Sequence, residues 1–196
     1  MIAAGPVAHV QAGTILLPRE SSWKYHNLNS NLFTLQPTWN QPGYDDSVAN
    51  GWAGPSPAPI GYNFQNNTQY CKTAIEIGTP IRYPVIFYRT TFSSGNPSGY
   101  QGLILRIQAD DSAAIYLNGS LLYNESVPTP GTFTFGGRGA DYPDELLYRE
   151  YTVPATGVVA GVNVLAVENH NSGDTSSDLQ FDMEIEALID TTPPTA

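Results

Sequence analysis

The sequence predicts an all-β protein, an antiparallel β-sandwich, and three observations carry that reading. Leu179, Phe181, Met183, Ile185 and Ala187 alternate with Gln180, Asp182, Glu184 and Glu186. A period of two buries one face of a strand and wets the other. Ile115-Tyr116-Leu117 and Ser120-Leu121-Leu122-Tyr123 flank Asn118-Gly119. That dipeptide tolerates the positive φ angles of a two-residue hairpin turn. No stretch of 12 or more residues holds a 3.6-residue period between turn formers, so helical crossovers are not expected.

The remaining elements follow in order. Leu103, Leu105, Ile107 and Ala109 alternate with Arg106 and Gln108, a second half-buried strand. Val85–Phe92, Leu146–Val153 and Asn163–Glu168 are further strands, the last opened by the turn signal Ala160-Gly161. The best helical fragment is Tyr44–Asn50, with Asp45-Asp46-Ser47 placed to cap it. Between Gln36 and Gly78 lies an irregular region rich in Pro, Gly, Asn and aromatic residues. Loops beyond roughly 15 residues usually carry function or pack on the core as a lid. Smaller Gly/Pro-rich loops lie at Ser93–Gly99 and Pro128–Pro143. The expected organisation is an extension over 1–13, one sandwich domain over 14–189, and a Pro/Thr-rich linker over 190–196 leading to a covalently joined neighbour.

Composition narrows the function. The chain has 196 residues with 8 Lys+Arg against 18 Asp+Glu, a net charge of -10, and only 13% charged residues. Nucleic acid is excluded as an expected partner, because a polyanion needs a basic patch. Eleven of the 18 acids lie between Asp141 and Asp190, where Arg149 is the one base. Such a flank is either solvated loop surface or a place for a hard cation. Cys71 stands alone, so no intrachain disulfide and no thiolate-rich zinc site is expected. Met1–Val10 lacks the basic and apolar parts of a signal peptide, and no run approaches a membrane span, so membrane insertion is not expected. Glycosylation-type triplets at Asn66, Asn118 and Asn124 read as chance in an Asn/Ser/Thr-rich chain.

Two kinds of constellation bear on chemistry. Asp110-Asp111 sits where one strand ends and the next begins. Adjacent carboxylates there can face one calcium ion, or can serve as an Asx-type turn. Glu168 and Asp178, on either side of an Asn169-His170-Asn171 run, extend the candidate calcium set, with the alternative that they tie their loop to the sandwich rim. Sugars are held by aromatic faces and by side-chain hydrogen bonds to hydroxyls. Trp39, Trp52, Tyr62 and Tyr70 fall in the long irregular region and Tyr142 in another loop, with Arg138 and His170 as polar partners. Of these, Tyr62, Tyr70, Arg138, Tyr142 and His170 are the candidate ligand residues. Catalysis finds little support: the His residues lack zinc-helix spacing and no Gly-x-Ser-x-Gly elbow occurs. With 18 acids some carboxylate pair always meets a glycosidase spacing, so that criterion decides nothing.

Several stretches together resemble a known family. They are Ser22-Trp23-Lys24-Tyr25, Trp39 to Asp46, and Trp52 with Ala58-Pro59-Ile60-Gly61-Tyr62. Leu105 to Gly119 and Ala160 to Glu168, running on to Ser177–Asp182, complete the pattern. In order and spacing they resemble the galactose-binding-like jelly rolls of large secreted bacterial modular proteins. The resemblance implies a jelly-roll sandwich, with Trp23 and Trp52 as core anchors. It also implies a non-catalytic carbohydrate-binding module, secreted or on a bacterial or phage surface, that targets its parent protein to a polysaccharide or cell-surface glycan. Asp110-Asp111 is similar to the acidic pair of a related sugar-binding sandwich in which calcium bridges protein and glycan. Because this fold also serves as a structural or adhesive spacer, that is the alternative, with a glycan hydrolase or lyase behind it.

Overall fold

The computed structural model describes residues 11–63, 71–76, 82–136 and 146–190. Within them run β1 (Gln11–Leu17), β2 (Ser22–His26), α1 (Leu32–Leu35), β3 (Ala53–Pro57), β4 (Ile60–Asn63) and β5 (Thr73–Ala74). Then come β6 (Val85–Ser94), β7 (Tyr100–Asp110), β8 (Ser112–Leu117), β9 (Ser120–Glu125), β10 (Arg149–Val153), β11 (Gly161–His170) and β12 (Asp178–Asp190). The strands form two sheets of six. One has the order β10-β7-β12-β4-β5, with β1 also on β12, and the other the order β3-β2-β6-β11-β8-β9. Every pairing is antiparallel except β4 with β5. The chain is an antiparallel β-sandwich.

The alternation in the sequence is the alternation in space. Leu103, Leu105, Ile107 and Ala109 of β7 and Leu179 to Ala187 of β12 point inward, against Ile86 and Tyr88 of β6 and Leu165 and Val167 of β11. Trp23 meets Phe181 edge-on at 5.3 Å, and Tyr88 stacks on the same ring at 5.2 Å. On the wet face of the first sheet, Arg106 of β7 bridges Glu150 of β10 at 2.9 Å and Glu184 and Glu186 of β12 at 2.6 and 2.7 Å. At the β8–β9 hairpin, Asn118 and Gly119 take φ of 50° and 87°. These are the angles an Asn-Gly turn supplies at low steric cost.

The second sheet is covered on both faces. Phe87, Val85 and Ala166 point outward and pack under Leu32, Trp39 and Trp52, brought there by the segment after β2. Trp39 lies 4.9 Å from the Phe87 ring. The segment is pinned by buried Arg89, whose Nε donates to Asp46 at 3.0 Å and whose guanidinium also donates to the Trp39 carbonyl. Lys24 adds a second bond to Asp46 at 2.5 Å. Burial opposes ionisation of Asp46, but Lys24 and Arg89 outweigh it and hold the carboxyl below its ordinary value.

Four local expectations change. Tyr44–Asn50 holds only a 3-10 turn, Val48–Asn50, closed by Gly51 at φ 83°. Asp46 is drawn into the Lys24–Arg89 bridge instead of capping a helix, and the helical turn falls at Leu32–Leu35. The strand expected from Leu146 begins at Arg149. The Gln36–Gly78 region contains β3, β4 and β5, so it is part sheet. Finally, β1 starts at Gln11, inside the expected extension, because β12 is long enough to pair with it back to Asp190.

Candidate functional site

At one end of the sandwich the β7–β8 turn, the β11–β12 connection and the end of β4 converge. Asp111 alone separates β7 from β8, so the reversal is tight. Buried Asn169 holds it by donating Nδ2–H to the carbonyls of Asp110 and Ser112, at 3.1 and 3.0 Å. The Asp111 carboxylate accepts the Ser172 N–H at 2.5 Å, tying the turn to the β11–β12 connection. Asn171 donates Nδ2–H to the Tyr62 hydroxyl at 3.1 Å, and that hydroxyl donates to the Ser176 carbonyl at 3.3 Å. The Arg82 guanidinium stands 5.0 Å over the Tyr62 ring. Asp178, the first residue of β12, accepts the Ser177 hydroxyl at 2.7 Å.

Burial dominates the ionisable groups at this end. Burial, first, raises the Tyr62 hydroxyl to about 12, with Asn171 and Arg82 opposing and Asp110 adding to it. Burial, then Asp110 and Asp178, raises the Cys71 thiol to about 11, so it is no nucleophile at neutral pH. Burial raises the Asp111 carboxyl, the Ser172 bonds pull it back, and Asp178 pushes it up again.

Glu168 and His170 lie elsewhere, on the outer face of the second sheet beneath the loop that follows β9. The Glu168 carboxylate is fully buried; it accepts the Tyr116 hydroxyl at 2.9 Å and the Gly131 N–H at 2.9 and 3.2 Å. His170 places Nε2 3.6 Å from Glu168 and Nδ1 3.0 Å from the Thr134 carbonyl. Together they clasp the loop that follows β9 onto the sheet face. Asp110, Asp111 and Asp178 thus share one end with Tyr62, whereas Glu168 and His170 work separately. Tyr70, Arg138 and Tyr142 lie outside the described residues, as do Asp141 and Asp144.

Among the described residues no three His, Cys, Asp or Glu side chains are placed to share a metal ion. Trp23 and Trp52 are core anchors, and Trp39 joins them, 2% exposed and unavailable as a platform. The Asn118 and Asn124 side chains are committed internally, to Gly157 and Asn163 and to Val127 respectively. Two rim residues escaped the sequence: Arg82, which no motif marks, and Ser172, which acts through its backbone.

Tyr62, Arg82 and Asp178, partly exposed over buried Asn171, Asp110 and Asp111, can offer a ring face and hydrogen bonds to a polyhydroxylated ligand. No family model and no curated protein sequence matches the chain. Solved structures do. The chain is similar to Bacteroides uniformis β-glucuronidase at TM-score 0.53 and 18% identity, over 91% of this chain and 18% of that one. It is also similar to Ruminococcus gnavus β-glucuronidase at TM-score 0.53 and 11% identity, over 95% of this chain and 30% of that one. Lactobacillus rhamnosus β-glucuronidase gives 0.53 and 15%, over 93% and 30%. At such identities the likeness establishes a shared sandwich fold, and the chain spans less than a third of each of these proteins.

Proposed function

We propose that this sandwich is a non-catalytic carbohydrate-binding module of the galactose-binding-like kind, displayed on a secreted or surface-exposed modular protein. The observation that carries the reading is the convergence of Tyr62, Arg82, Asn171, Asp110, Asp111 and Asp178 at one end of the fold. That the same fold forms part of glycan-processing β-glucuronidases supports it. Because acids outnumber bases among the described rim residues, neutral polysaccharides are the expected ligands ahead of uronate-rich ones.

A glycan array with and without chelator tests this. Neutral polysaccharides should give signal, and Tyr62→Ala should weaken it by about tenfold or more. Loss of signal in chelator would bring calcium into the site through residues beyond those described. Flat signals across neutral and acidic glycans would leave a structural or adhesive spacer, the reading that burial of Trp39 and Trp52 favours. Release of reducing or unsaturated ends from those glycans would instead make the domain an enzyme.

A further inference from the structure

The opposite end of the sandwich differs in kind. It is built from the β8–β9 hairpin tip, the β10–β11 connection and the turn between β6 and β7. Asn118 bonds Gly157, and Gly161 pairs with Ser94, which places these three together. Residues 90–105, 112–124 and 151–167 contain no Asp, Glu, Lys or Arg, in a chain of net charge -10. Among the described residues, only Asp190, where β12 ends, brings a charged residue type to this end. Leu121, Val159 and Val162 stand 51%, 49% and 65% exposed there. Beside them runs an open groove of about 390 Å³, lined by Leu117, Leu121, Leu122, Pro154 and Gly157, with Ser120 and Thr156 at its edges.

β9 borders this groove and, among the described residues, is an outermost strand of its sheet, with Ser120 and Leu121 exposed at its start. Exposed edges are ordinarily guarded by charge, proline or brevity. Edges elsewhere follow that rule: β3 carries Pro55 and Pro57, β5 is two residues long, and β10 carries Arg149 and Glu150. β1 lies beside Glu186, which fills the space left by Gly13. Ser120–Asn124 of β9 has neither charge nor proline, and its one acid, Glu125, is buried and ion-paired to Arg149 at 2.5 Å.

We infer that this uncharged end is the interface for a second copy of the chain, β9 lying antiparallel to its symmetry mate. A strand paired with itself about a two-fold axis is self-complementary, as an isologous contact requires. Charge favours the same location: two chains of -10 repel, and they approach at least cost where neither carries charge. The groove and the exposed Leu121, Val159 and Val162 then supply apolar area to the contact.

Sedimentation of the 196-residue chain from micromolar to sub-millimolar concentration tests the inference. A monomer–dimer equilibrium is expected, tightening as salt screens the long-range repulsion. Leu121→Asp and, independently, Val159→Asp should each raise the dissociation constant by about tenfold or more. Val48→Asp, at a residue 80% exposed on the segment that covers the second sheet, should leave it unchanged. Circular dichroism checks that each variant is folded, and two sites keep the test alive if one is not. A monomer at every concentration overturns the inference. So does a dimer that salt loosens, or one that Val48→Asp weakens as much as Leu121→Asp.

Discussion

The two ends of the sandwich meet the same requirement by different chemistry. Strands stop, and the backbone groups of their turns need partners. At the Asp110 end those partners include a carboxylate: Asp111 accepts Ser172 N–H, while Asn169 donates to the carbonyls of Asp110 and Ser112. At the hairpin end they are carboxamides. Asn163 accepts Val159 N–H and donates to the carbonyls of Val159 and Gly161, while Asn118 accepts Val164 N–H and donates to Gly157. An amide both gives and takes, so it closes its turn without residual charge. A carboxylate only accepts and keeps its charge, and Asp110 and Asp178 add to the burial that raises the Cys71 thiol. The first end is the one proposed for polar recognition, and the second the one proposed for apolar contact.

That contrast can be broken in stages. The largest effect is expected from Glu168→Ala, which empties a fully buried position and takes the acceptor from the Tyr116 hydroxyl and the Gly131 N–H; about 3 kcal/mol should be lost in chemical denaturation. Asn118→Ala removes three hydrogen bonds and a residue type suited to φ 50°, and should cost about 2 kcal/mol by the same measurement. The smallest effect concerns pH. With its carboxyl raised in the folded chain, Asp111 favours the native state when protonated. That contribution fades as pH rises from the ordinary value of 3.8 through the raised one. Asp111→Asn should therefore flatten the fall of melting temperature over that range, whereas Asn118→Ala should lower the whole curve without changing its slope.

Much of this was legible in the residues. β7 and β12 alternate because one face is wet, so their period shows directly. β6 and β11 show apolar runs instead, Val85-Ile86-Phe87-Tyr88 and Val164-Leu165-Ala166-Val167, because both faces are covered. β1 to β5 were hidden: β2 to β5 are two to five residues long, β3 carries Gly54, Pro55 and Pro57, and all are defined by the strands they join. At the candidate site, Asp110 and Asp111 could be proposed because they fall at a strand junction, Asp178 because it follows the Asn169-His170-Asn171 run, and Tyr62 as an aromatic residue of the irregular region. Glu168 could not be separated from them by sequence, since whether its side chain faces the rim or the covered sheet face is settled only by register. Arg82 reaches Tyr62 from a distant part of the chain, a contact no local pattern encodes.

The jacket of Leu32, Trp39 and Trp52 turns the second sheet into the middle layer of a three-layer molecule. Positions such as Phe87 and Ala166, which on a bare sandwich would drift freely among polar residues, are here confined to shapes that fit between two interiors. Sequence variation compatible with this architecture is thereby steered toward the uncovered face of the first sheet and toward the rims.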